Sequence, residues 1–134
     1  MEVRVAPKIL IVDDNAFIRK IIRTNIEQNT NWRVCGEAEN GKDAIQQVTE
    51  LNPNIVILDW QMPIMNGLDA GREIARISPN TILVMFTMHL SEELVRIAHA
   101  TGFREVVSKS ASVPNDLLST IRMALRSGRF AVPA

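Results

Sequence analysis

Four places in this 134-residue chain set reactive side chains directly after short apolar runs. Asp13 and Asp14 follow ILIV, Asp59 follows IVIL, Thr87 follows ILVMF, and Lys109 with Ser110 follows EVVS. Each alone has an ordinary reading. An Asp pair after a strand often caps the next helix, Thr87 would be a strand-end hydroxyl, and Lys109 a solvated loop lysine. Asp59 resists that reading more, because the apolar run Ile55–Leu58 should be a central strand, which puts Asp59 near a crowded crevice rather than an open rim. Brought together, the four make a chemical set. Three close carboxylates repel and raise one another's pKa, and a divalent cation removes the conflict. Magnesium takes oxygen ligands, one or two of them carboxylates, with water and phosphate oxygens completing an octahedron. A lysine neutralises a phosphoryl oxygen as a point charge, and a hydroxyl donates to another. These are the parts that phosphoryl transfer onto a carboxylate requires.

The elements that would assemble them are legible as alternation. Short, β-branched runs at Ile9–Val12, Arg33–Glu37, Ile55–Leu58, Ile82–Phe86 and Glu105–Ser108 are continuous rather than alternating, as in a parallel sheet covered on both faces. Between and after them run stripes at helical spacing: Phe17, Ile18, Ile21, Ile22 and Ile26; Ala44, Ile45, Val48 and Leu51; Leu68, Gly71, Ile74 and Ala75; Leu94, Val95, Ala98 and Thr101; Leu117, Leu118, Ile121, Ala124 and Leu125. Asn40-Gly41, Asn66-Gly67 and Ser91 open three of the helices, and Pro114 falls in the first turn of the last. The expectation is an α/β, doubly wound, five-stranded parallel sheet with five helices. Right-handed crossovers place the helices on both faces, and a ligand would bind beyond the carboxyl ends of the strands.

Totals narrow the function. The length fits one domain, read here as residues 1–134 with a core of about 8–127. With 46% hydrophobic and 22% charged residues the composition is that of a soluble globular protein, and fifteen basic residues balance fifteen acidic ones, which gives no whole-molecule case for binding nucleic acid or membrane. Cys35 is the single cysteine and reads as a small buried hydrophobe. No apolar signal core or spanning segment is present, so a cytoplasmic protein is expected.

The order and spacing of Asp13-Asp14, the stretch DWQMPIMNG from Asp59, Thr87 and Lys109 resemble the receiver domain of two-component response regulators, over about Lys8 to Ser127. The resemblance implies a flavodoxin-like receiver fold with strand order 2-1-3-4-5. It implies that Asp59 is the phosphoacceptor, that Asp14, Asp59 and the Gln61 carbonyl hold Mg2+ (or Mn2+), and that Asp13 acts mainly through a metal-bound water. Lys109 would pair with Asp59 at rest and with the phosphoryl group after transfer, and Thr87 would move to hydrogen-bond it. Met62-Pro63 and Gly67 would shape a loop that keeps Asp59 exposed, Gln61 and His89 would tune dephosphorylation, and Trp60 would flank the site. Implied partners are a sensor histidine kinase or phosphotransfer protein and a downstream protein or an output domain of its own. The output surface would be helix four, strand five and helix five, which carry Arg96, Arg104, Arg122 and Arg126, with a homodimer as one use of it. No membrane and no direct nucleic-acid contact is implied for this domain.

Two positions depart from the family pattern. Val106 stands where a Tyr or Phe usually turns inward, and Phe103 is the nearest aromatic in sequence. Ser110 follows Lys109 where a proline with a cis bond is common; a non-proline cis bond costs about 2.5–4 kcal/mol, so either that strain is tolerated or the loop runs differently. Lys-Ser here is similar to receivers of helix-turn-helix transcription regulators, so a longer DNA-binding regulator is one alternative, and only GRFAVPA follows the last helix. A non-phosphorylated interaction module is another. A phosphohydrolase of the haloacid dehalogenase kind would carry Asp-x-Asp after the first strand, where this chain has Asp13-Asp14-Asn15.

Overall fold

The computed structural model describes residues 6–110 and 113–127; the flanking MEVRV and GRFAVPA segments lie outside the described residues. Strands and helices alternate: β1 (Lys8–Val12), α1 (Ala16–Asn29), β2 (Arg33–Ala38), α2 (Gly41–Leu51), β3 (Ile55–Leu58), α3 (Gly67–Ile77), β4 (Ile82–Thr87), α4 (Glu92–Thr101), β5 (Glu105–Ser108) and α5 (Val113–Ser127). The five strands form one parallel sheet in the order β2-β1-β3-β4-β5. All five runs are strands, and β4 extends one residue further to include Thr87.

The continuous apolar runs follow from this order. Successive residues of a strand point to opposite faces, and here both faces are covered. Ile9, Ile11, Ile55, Ile57, Val84 and Phe86 pack against Ile22, Ile26, Leu117 and Ile121 of α1 and α5. Leu10, Val12, Val56, Leu58, Leu83 and Met85 pack against Val48, Ile74, Leu94 and Ala98 of α2, α3 and α4. Burial of each such side chain contributes about 1.5–3 kcal/mol. Edge strands β2 and β5 are only half-buried, and Cys35 on β2 is half-buried rather than enclosed.

The apolar stripe of α1 is narrower than its spacing predicts. Phe17 is 68% exposed. It precedes the buried Ile22 and Ile26 by five and nine residues, about 140° and 180° around the helix, whereas Ile18 lies within about 80° of both. Phe17 therefore faces outward while Ile18 packs against the core.

Four helices start at the edge where the strands end, each with a side-chain cap. Asn15 Oδ1 accepts from the Phe17 and Ile18 N–H groups at 2.9 and 3.2 Å. Asn40, Asn66 and Ser91 accept from the N–H groups of Asp43, Asp69 and Leu94 at 2.8, 2.9 and 3.1 Å. Such caps contribute about 1 kcal/mol each. Because Asn15 caps α1, Asp14 is left without that duty.

Candidate functional site

The parallel register brings the strand ends together. Val12 pairs with Leu58, and Leu58 with Met85, so the residues that follow emerge side by side. Asp13 is held at every polar atom. Its N–H donates to Ala38 O at 3.0 Å and its carbonyl accepts from Arg19 Nη1 at 2.6 Å. Its Oδ1 accepts from the Asn15 N–H at 2.9 Å and its Oδ2 from Lys109 Nζ at 2.5 Å. Asp59 donates its N–H to Val12 O at 3.0 Å, and its Oδ1 accepts from the Trp60 N–H at 2.7 Å. Lys109, itself tied through its N–H to Thr87 O at 2.8 Å, reaches across with Nζ 3.2 Å from Asp59 Oδ2. Its ammonium also lies 5.8 Å from the centre of the Phe86 ring. Thr87 is fully buried, and its Oγ1 accepts from the His89 N–H at 3.2 Å.

Lys109 was expected to pair with Asp59; it bridges Asp59 and Asp13, with the shorter bond to Asp13. Nor does the loop leave Asp59 open. Asp59 is 8% exposed and Asp13 2%, and the Lys109 side chain that reaches both is itself only 7% exposed. Burial pushes the Asp59 carboxyl above its usual range; Lys109 pulls it down, and the neighbouring Asp13 charge adds to the rise. Asp14 is exposed. Carboxylate oxygens of Asp13, Asp14 and Asp59 all lie within 4.8 Å of one another. Three carboxylates against one ammonium leave an excess of negative charge. Hard, converging oxygen donors of this kind fit a magnesium- or manganese-like cation.

The β3–α3 loop is pinned on both sides. Gly67 donates its N–H to Trp60 O at 2.7 Å, and a Cβ on Gly67 would collide with the Asp59 carbonyl. Gly41 at the start of α2 donates to Met65 O at 3.1 Å. Trp60, Met62 and Met65 are half-buried against the second core, which places Trp60 beside the site. Gln61 is exposed on the loop. Ile64 is 78% exposed and adopts φ 70°, a left-handed conformation that β-branched residues rarely take.

The other expectations sort clearly. Val106 is half-buried against the core on the α2–α4 side of the sheet. Phe103, between α4 and β5, is buried against α3, where its ring fills the space that a Cβ on Gly71 would need. The Lys109–Ser110 bond is trans, so the loop runs differently from the cis alternative. Arg96 and Arg104 are exposed. Arg122 instead lies 5.6 Å over the Trp32 ring and reaches Asn29 O, so it is committed to packing against the C-terminal end of α1 and the segment after it. Two residues were not anticipated. Arg19 joins Asp13 to Glu37, and Glu37 also takes Arg23 Nε at 2.6 Å. The signal available was Arg19 one turn after the Asn15 cap, which aims it back at the strand end.

A family model for the response regulator receiver domain matches residues 9–122. The protein-glutamate methylesterase/protein-glutamine glutaminase of Pseudoalteromonas atlantica is 48% identical over 61 residues, 46% of this chain and 16% of that protein. That of Pyrococcus horikoshii is 46% identical over 59 residues, 44% of this chain and 16% of that protein. This chain thus spans about a sixth of the length of these curated relatives. Among solved structures, a LuxR-family two-component response regulator from Aurantimonas superposes with TM-score 0.87 at 30% identity over 93% of this chain and 89% of that one. The response regulator domain of Thermotoga maritima CheB superposes with TM-score 0.85 at 26% identity over 91% and 98%. With the fold, the strand-end residues and these matches in agreement, the chain belongs to the response regulator receiver domain family.

Proposed function

We propose that this receiver domain is a phosphorylation switch in two-component signalling, with Asp59 as acceptor. The observation that carries the reading is the Asp59 carboxylate, held by the Trp60 N–H and facing Lys109 Nζ at 3.2 Å inside a three-carboxylate cluster. Asp14, Asp59 and the Gln61 carbonyl would hold Mg2+ (or Mn2+), with Asp13 acting through water. A bound cation supplies positive charge against the oxygens of the incoming phosphoryl group. The chain's own residues do the rest. An Asp59 oxygen attacks phosphorus in line as the bond from phosphorus to the donor histidine nitrogen breaks; with the other ring nitrogen of the phosphohistidine protonated, the bonding pair stays on the ring and the histidine leaves as neutral imidazole. Lys109 neutralises a phosphoryl oxygen, and the Thr87 hydroxyl donates to another. Water later hydrolyses the acyl phosphate and restores the carboxylate.

The donor on this reading is a sensor histidine kinase or phosphotransfer protein, and the setting is cytoplasmic; among the described residues no helix is long and apolar enough to cross a membrane. The chain is read as a single receiver unit. The added charge biases a two-state equilibrium that changes a protein-interaction surface, with the α4–β5–α5 face and a homodimer through it as the candidates. The partial coverage of the methylesterase relatives supports a variant in which the receiver controls an attached output domain, and the LuxR-family neighbour supports a DNA-binding one. Incubation with magnesium and a small phosphodonor tests the core of the proposal. The expected result is a mass gain of one phosphoryl group mapping to Asp59; an unmodified protein would favour a phosphate-independent interaction module.

A further inference from the structure

We propose that Arg19 is a positioning residue for the acidic site, acting through the backbone of Asp13. This inference rests on the cation-dependent reading of that site. The guanidinium spans two acceptors, one just past the end of β1 and one on β2. Nη1 donates to the Asp13 carbonyl at 2.6 Å, and Nε to Glu37 Oε1 at 2.9 Å. Its side chain is 16% exposed, so both bonds form largely out of water, where charge-assisted hydrogen bonds are stronger than neutral ones. Glu37 is in turn fixed by Arg23 Nε at 2.6 Å, and its own carbonyl accepts from Gln47 Nε2 of α2 at 2.7 Å. Burial alone would raise the Glu37 carboxyl; the bonds from Arg23 and Arg19 outweigh it and hold it below its usual range.

The consequence falls on the turn that carries two of the three carboxylates. After Val12 the chain leaves the sheet, and Asp14 has no strand partner to locate it. Fixing the carbonyl of Asp13 sets the peptide plane between Asp13 and Asp14, hence the direction in which the Asp14 carboxylate leaves the backbone. The guanidinium also brings a second cation to the backbone of the turn that carries Asp13 and Asp14. A lysine at position 19 would keep the charge but could not span both acceptors with a planar fork.

Arg23 provides the control, since it binds the same Glu37 but not Asp13. Mg2+ is titrated into wild type, Arg19→Ala, Arg19→Lys and Arg23→Ala, with the amide shifts of Asp14 and Trp60 followed by NMR. Exchange of the Asp13 and Asn15 amides is measured without metal. Removal of an outer partner of a metal ligand weakens affinity about 10–100-fold. Arg19→Ala is expected to weaken Mg2+ about 10-fold and to speed exchange at Asn15, Arg19→Lys to fall between, and Arg23→Ala to stay within about twofold of wild type. Where Arg19→Ala does not fold, Arg19→Lys against Arg23→Ala gives the same comparison. Equal affinities in the Arg19 and Arg23 variants would overturn the positioning role while leaving the switch intact. A wild type that does not respond to Mg2+ would remove the cation reading, and this inference with it.

Discussion

The two halves of the sheet edge are built to different standards. At the β1–β3 end, the backbone groups and both carboxylate oxygens of Asp13 have partners, and Asp59 is held by its own N–H, by the Trp60 N–H and by Lys109. At the β4–β5 end, the Thr87 hydroxyl meets a single peptide N–H at 3.2 Å, and Val106 offers a short side chain on a half-buried edge strand. Groups that must present charge in one geometry are tied from several directions. Groups that would report on that charge are held by few bonds, which would suit the moving element of the proposed switch.

The largest expected effect breaks the first half outright. Asp59→Asn abolishes the mass gain from a small phosphodonor. The same change raises the urea midpoint near neutral pH, with a sign that follows from burial. The folded carboxyl titrates above its ordinary value of 3.8, so the native state binds the proton more tightly than the unfolded chain. Its contribution to stability is therefore most favourable below 3.8 and is lost as pH rises through the folded value. Wild type minus Asp59→Asn, measured across that window, should show the loss; a flat difference would contradict it. Next comes Gly67→Ala, which forces a Cβ onto the Asp59 carbonyl. A cost of about 1–3 kcal/mol is expected in denaturant unfolding.

Smaller effects sharpen the contrast. Val106→Ala should cost about 1 kcal/mol while leaving the phosphorylation rate within a factor of about two, as stopped-flow measurement with a small phosphodonor would show. A tenfold change in rate would mean that the two ends are one unit. Ile64→Asn relieves a left-handed β-branched residue that is 78% exposed, and a stabilisation of about 0.5–1 kcal/mol in thermal unfolding is expected.

Much of this is legible in the amino-acid sequence, because the signals are local. A fully buried parallel strand has to be apolar throughout, and Ile55–Leu58 is; an Asn before a helix has to cap it, and Asn40 and Asn66 do. Spacing also placed Asp13, Asp14, Asp59, Thr87 and Lys109 at one edge. What stayed hidden depends on direction in three dimensions. Whether Phe17 or Ile18 faces inward is a matter of one residue's rotation. That Arg122 rests on Trp32, and Arg19 on Asp13 and Glu37, depends on where long flexible side chains find partners across elements. Nor could periodicity reveal that Lys109 lies nearer Asp13 than Asp59.

The register Val12–Leu58–Met85 has a consequence for drift over evolutionary time. The spacing between the acidic groups is inherited from the repeat between hydrogen-bonded strands, about 4.8 Å, which is a constant of the peptide backbone. The ruler of the site is thus independent of which apolar side chains fill the interior. Chains only 26–30% identical can superpose closely with this one, because substitutions in either core spend stability without rescaling the gap in which the chemistry takes place.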